Sequence, residues 1–156
     1  MDRKYKYFLI DAINEIYEAA HKSESDKKKS EKNDLLEFSS GKDYGYNEII
    51  KTLNSEADKL QINLDVLTDG SFDSNHKWDL KKFINIASKA VISRGVSMIS
   101  EIHKKESGKI KPSIYDEGIS LAYYEVATTL KRYALIFNID LKELGLDKID
   151  PDRDLT

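Results

Sequence analysis

The sequence predicts an all-α protein: a four-helix bundle made of two repeated helical hairpins, each followed by a short capped helical turn. Three observations support this prediction. Apolar residues recur at three- and four-residue steps along four long segments, which is the spacing of an amphipathic helix. Seven glycines and two prolines in 156 residues leave room for few turns. The second and fourth segments also match each other at a fixed offset, as expected for an internal repeat.

The first repeat is expected to span about residues 2–70 of a single domain that covers 1–156. Its expected elements are a first helix at about 2–23, a charged stretch at 22–33, a second helix from Asp34 or Ser40 to Gln61, and a short turn at 64–67 that Asn63 can cap. The charged stretch has no apolar residue, so we interpret it either as a solvated connection or as a frayed extension of the first helix.

The second repeat is expected at about 78–147, after a loop at 68–75. Its expected elements are Asp79 as the N-cap of a third helix at about 80–104, Pro112 in the first turn of a fourth helix, a short turn at 141–144 capped by Asp140 and stopped at Gly145, and an acidic tail at 147–156. The apolar residues Ile149 and Leu155 predict that the tail docks on the bundle.

The repeat is clearest between the second and fourth helices, where an offset of 77 pairs Gly41 with Gly118. The same offset pairs Gly45 with Ala122, Tyr46 with Tyr123 and Glu48 with Glu125. Small residues one turn apart let two backbones approach closely, so we expect these two helices to cross at the glycines. The first and third helices align at an offset of 82, with Leu9 on Val91 and His21 on His103. This second offset predicts that the first connection is five residues longer.

The composition argues against several functional classes. With no cysteine, the chain has no disulfide framework, zinc-thiolate site or thiol nucleophile. The net charge of −3 shows no basic surplus, so we expect no nucleic-acid partner. We expect neither a signal peptide nor a membrane span, and hence a cytoplasmic location. Because the three histidines form no nucleophile–base or His-x-x-x-His pattern, we expect a non-enzymatic protein without a cofactor.

A metal site is the alternative interpretation of the glutamates. Glu48 and Glu125 share the inward stripe, and a carboxylate-bridged bundle would use them with Glu18 and His21. Such a site requires a Glu-x-x-His motif on two helices, however, and the equivalent of Glu18 is a serine. We therefore expect the two glutamates to cap or cross-link helices, for example through tyrosine hydroxyls.

The expected partner-binding residues are acidic and aromatic. The tail is the densest acidic patch, and two of the nine tyrosines are candidates for an exposed contact surface. The predicted partner-binding residues are Asp147, Asp150, Asp152, Asp154, Tyr44 and Tyr124.

The last quarter of the chain carries a resemblance. The motif Gly118-x-x-x-Ala122-Tyr123-Tyr124-Glu125-Val126, together with the tail from Leu144 to Leu155, resembles the C-terminal signature of small helical proteins of bacteria. Some proteins of that type are immunity partners of secreted toxins. The resemblance implies a protein-binding module that neutralises a toxin by direct binding. The alternative that we leave open is a bundle that binds a metal or a small ligand.

Overall fold

The structure is a computed structural model that describes residues 3–72, 75–106 and 111–156. Within these ranges the chain forms seven helices: α1 (Arg3–Lys29), α2 (Asn33–Lys59), α3 (Leu64–Thr68), α4 (Leu80–Glu106), α5 (Ile114–Ile136), α6 (Leu141–Leu144) and α7 (Pro151–Asp154). The four long helices pack around one apolar core, to which residues from Tyr5 to Leu155 contribute. The predicted all-α bundle is therefore confirmed.

Helices α2 and α5 form the closest helix pair and run in the same direction. A Cβ atom added to Gly41 would lie 1.9 Å from the carbonyl oxygen of Tyr115, and one added to Gly118 would lie 2.2 Å from the carbonyl oxygen of Phe38. One turn further, a Cβ at Gly45 would lie 2.8 Å from the Ala122 Cβ. Only glycine permits such backbone contact, so the predicted crossing of the two helices at these glycines is confirmed.

The two hairpins end in the same way. Gln61 and Asn138 follow α2 and α5 with positive φ angles of 55° and 51°. The next residue in each repeat donates its N–H back into the last turn, with Ile62 to Ala57 O at 2.9 Å and Ile139 to Ala134 O at 2.8 Å. This left-handed residue closes each helix by satisfying carbonyls that would otherwise lack partners.

The short capped turns that follow α2 and α5 are also confirmed. The Asn63 side chain accepts from the N–H groups of Asp65 and Val66 at the start of α3. The Asp140 side chain accepts from the N–H of Lys142 at the start of α6, and Gly145 ends that turn with a φ of 69°. Both repeats therefore consist of a hairpin and a capped turn.

The first connection is shorter than the sequence predicted. The charged stretch continues α1 to Lys29, with Lys28 and Glu24 paired at 2.6 Å one turn apart. Only residues 30–32 then separate α1 from α2, whereas α4 is described to Glu106 and α5 begins at Ile114. The prediction of a longer first connection was wrong, because lysine and glutamate favour helices and lysines in the last turn interact well with the helix dipole.

The offset between α1 and α4 is 75 rather than 82. An offset of 75 aligns five buried residues of α1 with five buried residues of α4. Tyr5, Phe8, Leu9, Ala12 and Ile16 then correspond to Leu80, Phe83, Ile84, Ala87 and Val91. An offset of 82 would instead place buried Ala12 opposite exposed Arg94. The predicted alignment was wrong by seven residues, which is two helical turns, so it kept much of the apolar stripe in register.

The start of α5 differs from its prediction, whereas the start of α4 agrees. Asp79 accepts the N–H of Lys82 at 2.9 Å, which confirms it as a cap of α4. At α5 the N-cap is Ser113, which accepts from the N–H of Asp116. Pro112 precedes this cap instead of lying in the first turn. A proline cannot donate an N–H, and it fits equally well just outside a helix.

The tail docks on the bundle, as predicted, and adds a helix that was not predicted. Asp150 caps α7, and Pro151 occupies its first turn. Leu155 is fully buried beside Gly95 of α4, where a Cβ would lie 3.3 Å from the leucine side chain. The docked segment forms one wall of a cleft.

Candidate partner-binding site

Two of the four predicted aspartates stabilise the tail itself. The Asp150 side chain accepts from the N–H of Asp152 at 3.1 Å. Asp154 accepts two hydrogen bonds from the Arg153 guanidinium, at 2.7 and 2.8 Å, and one from the N–H of Asp150 at 2.9 Å. The hydrogen bonds from Arg153 lower the pKa of Asp154 most, and the bond from the Asp150 N–H adds to this effect, so that the pKa falls to about 2. These two carboxylates are therefore already engaged in holding α7.

Tyr124 and Asp152 are brought together, whereas Tyr44 and Asp147 lie elsewhere. Asp152 lies beside Tyr124 in the lining of the cavity, and its interaction with the hydroxyl raises the pKa of the tyrosine. Tyr44 lies on α2 with its ring 6.2 Å from the ring of Tyr115. Asp147 is exposed in the segment that precedes α7. The six predicted residues thus do not form one surface, and the pair Tyr124–Asp152 marks the part that lies beside a cavity.

That cavity is a cleft of about 390 Å³ between the last turns of α4, the first turns of α5, the docked tail and one residue of α2. We call it the α4–α5 cleft. It is lined by Phe38, Ile102, His103, Pro112, Glu117, Ser120, Leu121, Tyr124, Asp152, Leu155 and Thr156. Its volume lies at the lower end of the range of ligand pockets, which suits groups the size of one or two side chains.

Apolar groups form most of the cleft wall, and carboxylates lie on it. Ile102 and Leu155 are buried, and Leu121 is partly exposed in the cleft. Among the lining side chains, Glu117 and Asp152 are acidic, and His103 contributes an imidazole. An apolar floor with acidic groups at its edge can hold an apolar group that has positive charge beside it.

The equivalent place in the first repeat is filled. There Lys27 and Asp43 form an ion pair at 3.0 Å, with the Asp43 side chain only 10% exposed. The offset of 75 relates Lys27 to Ile102, and the offset of 77 relates Asp43 to Ser120. The cleft is therefore the position at which the second repeat has neither the long cationic side chain nor the carboxylate.

Aromatic residues also differ between these two equivalent places. Tyr44 corresponds to Leu121, and Tyr115 corresponds to Phe38. Burial raises the pKa of Tyr115, and the ring of this tyrosine lies 6.2 Å from the ring of Tyr44. The first repeat thus has an ion pair and two tyrosines at this position, whereas the second has an apolar opening.

The inward glutamates cross-link helices, as predicted. Glu125 accepts from the Tyr46 hydroxyl at 2.5 Å and from Lys42 at 2.9 Å. Glu48 accepts from Arg94 of α4 at 3.1 Å. Within the described ranges, no group of three or more His, Asp or Glu residues is arranged to hold a metal ion. The geometry of the glutamates is that of helix-to-helix contacts.

Most of the cleft was not predicted from the sequence. Tyr124 and Asp152 were among the predicted binding residues. The residues that form the floor were not, among them Phe38, Ile102, Ser120 and Leu121. The comparison of the two repeats already indicated a cavity here. At equivalent positions the first repeat has the charged Asp43, whereas the second has the small side chain of Ser120. A correct offset for α1 and α4 would have added the replacement of Lys27 by Ile102.

Comparisons with known proteins add no family to this description. No protein-family model, curated protein or solved structure matches the chain. Among the described helices, none combines the length with the apolar character that crossing a bilayer requires.

Proposed function

We propose that this chain is a non-enzymatic protein-binding module, and that it acts as an immunity protein that neutralises a bacterial toxin by direct binding. The observation that carries the proposal is the α4–α5 cleft, which has Tyr124 and Asp152 on its wall. A preformed apolar cavity with a tyrosine on its wall and carboxylates at its edge matches the apolar centre and polar rim of a protein interface.

Exposed apolar residues next to the cleft favour a protein partner. Leu35 is 56% exposed and lies three residues before Phe38, so both are on the same side of α2. An apolar surface that continues beyond a cavity is larger than a small ligand would need, and a protein interface would bury it.

Co-expression with the product of the neighbouring gene tests this function. We expect the chain to protect cells from that product and to form a complex with it after both are purified. Leu121→Glu and Asp152→Lys should each weaken the complex by about tenfold or more, because one places a charge in the apolar floor and the other reverses the charge at the edge. Protection should decline in parallel.

Glu18→Lys is the matched control for the charge reversal. Glu18 is exposed on α1, which contributes no residue to the cleft wall. This variant should bind and protect like the original chain. If both cleft variants form the complex as well as the control does, the proposed site is wrong. If the product of the neighbouring gene neither binds the chain nor harms cells, the proposed function is wrong.

A small apolar ligand is the second candidate, because the cleft volume of about 390 Å³ lies within the range of ligand pockets. Native mass spectrometry of the purified chain tests it. A stoichiometric mass increase that Ser120→Phe removes would favour this candidate over a protein partner.

A further inference from the structure

We infer that the α4–α5 cleft receives one large apolar side chain from a partner segment in which Lys or Arg residues flank that side chain. This inference rests on the proposed function, because it takes the ligand to be part of a protein. It adds the chemistry of the segment, which the proposed function leaves unspecified.

The apolar anchor follows from the cleft wall. Phe38, Ile102 and Leu121 come from three different helices and face one cavity, to which the docked tail adds Leu155. Water in such a cavity finds few hydrogen-bond partners, so an entering apolar side chain gains the free energy of leaving water. An aromatic or long aliphatic side chain matches a volume of this size.

The flanking basic residues follow from the charges beside that wall. Glu117 and Asp152 are exposed carboxylates on two sides of the opening, one on α5 and one on α7. Asp152 lines the cleft together with Tyr124. Lysine or arginine residues beside the anchor would pair with these carboxylates, whereas acidic residues there would be repelled.

The first repeat shows how the cleft can be closed. Lys27 of α1 and Asp43 of α2 form an ion pair at 3.0 Å at the equivalent place. The double substitution Ile102→Lys with Ser120→Asp copies this pair into the second repeat. It should fill the cleft from within while the bundle keeps its fold, because the surrounding helices already accommodate the pair once.

The test uses a fluorescein-labelled peptide in which one Trp is flanked on each side by two Lys, and anisotropy as the readout of binding to the full chain. Replacing Trp with Ala, or all four Lys with Glu, should weaken binding by about tenfold or more. Ile102→Lys with Ser120→Asp should weaken it to a similar extent. Ser120→Phe provides a second way to fill the cleft, and Glu18→Lys is the control that should bind normally.

Circular dichroism and thermal unfolding of each variant show whether it is folded before its binding is interpreted. Equal binding of the Lys-flanked and Glu-flanked peptides, or equal binding by the original chain and a folded filled variant, would overturn the inference. If the toxin complex survives both filling substitutions, the inference fails although the proposed function stands. If the neighbouring product never binds the chain, the proposed function fails instead.

Discussion

Tyr46 and Tyr123 occupy equivalent positions in the two repeats, yet their hydroxyl groups have different surroundings. Tyr46 is buried and donates to Glu125 at 2.5 Å, and burial followed by this hydrogen bond raises its pKa. The Tyr123 hydroxyl is buried without a hydrogen-bond partner in the described structure, and burial raises its pKa to about 12. Glu48, which corresponds to Glu125, is paired with Arg94 instead.

This difference predicts opposite effects of the same substitution. Tyr46→Phe should lower the free energy of unfolding by about 1–2 kcal/mol, because it removes a hydrogen bond to a charged acceptor. Tyr123→Phe should leave that free energy unchanged or raise it, because it removes a buried polar atom that has no partner. Urea denaturation of the two variants measures both effects. Equal destabilisation by the two substitutions would contradict the assignment of their partners.

Glu15 connects α1 to α5 through three residues. Its carboxylate accepts from the Tyr133 hydroxyl at 2.7 Å, from Thr129 at 3.3 Å and from the Arg132 guanidinium. Partial burial raises the pKa of Glu15, but the hydrogen bonds and the charge of Arg132 together outweigh it and lower the pKa below the ordinary 4.5. The ionised form is therefore favoured by folding.

The lowered pKa of Glu15 predicts a pH dependence of stability. The stabilisation is fully present above about pH 4.5, the unfolded-state value, and is lost as the pH falls below it through the lower folded-state pKa. Glu15→Gln removes this titration, so its deficit in stability relative to the original chain should shrink between pH 6 and about pH 3. Urea midpoints at a series of pH values measure the change. A deficit that stays constant over this interval would show that Glu15 does not carry the linkage.

At the scale of the helices, the crossing of α2 and α5 depends on backbone contact. Gly41→Ala should lower the free energy of unfolding by about 3 kcal/mol, because the new methyl group would collide with the Tyr115 carbonyl and the helices would have to separate. The gain in helix propensity, about 1 kcal/mol, is too small to offset this loss. Asn47→Ala, at an exposed position on α2, is the propensity control and should stabilise slightly. Thermal or urea unfolding distinguishes the two directions, and a stabilised Gly41→Ala variant would contradict the close crossing.

The docked tail is predicted to stabilise the bundle through one side chain. Leu155 is fully buried against Gly95, so Leu155→Ala should lower the free energy of unfolding by about 3 kcal/mol. Asp147→Ala, at an exposed position in the same segment, should have an effect close to zero. Urea denaturation measures both values. A Leu155→Ala variant as stable as the control would mean that the tail does not dock as described.

The features that were predicted correctly from the sequence are those that require a particular residue type at a particular position. Gly41 and Gly118 identified the crossing because close backbone approach requires a particular residue, and Asn63 and Asp140 identified the caps because their side chains bond to nearby N–H groups. The offset between α1 and α4 was not determined by such a residue. Their apolar stripes alone fit almost equally well after a shift of two turns, so burial in the folded structure was needed to choose between them.

For the whole molecule, the arrangement predicts that neither half is stable alone. A fragment of residues 1–72 exposes the face of α2 that contains Gly41, and a fragment of 75–156 exposes the matching face of α5. Each fragment should be largely unfolded by circular dichroism, and mixing the two should restore the helical signal. Gly118→Leu in the second fragment should prevent this recovery. A single fragment that unfolds cooperatively as a monomer would contradict the prediction.

The cleft is a property of the whole molecule, which explains why sequence reasoning found only part of it. Its wall combines Phe38 of α2, Ile102 of α4, Leu121 of α5 and Leu155 of the tail. Tyr124 and Asp152 were selected for their residue types, and the structure places them at this cavity. The floor residues are ordinary apolar side chains, and only the comparison with Lys27 and Asp43 shows that they leave a space open.

Because α2 and α5 run in the same direction and the capped turns follow their last residues, both turns lie at the opposite end of the bundle from the cleft, which is at the start of α5. Ser55 is exposed near the end of α2, and it is 17 residues, or about 25 Å along a helix, from Phe38. The chain contains no cysteine, so Ser55→Cys would create a unique thiol. Biotin attached there would tether every molecule to a sensor surface in one orientation, with the cavity turned toward the flowing sample.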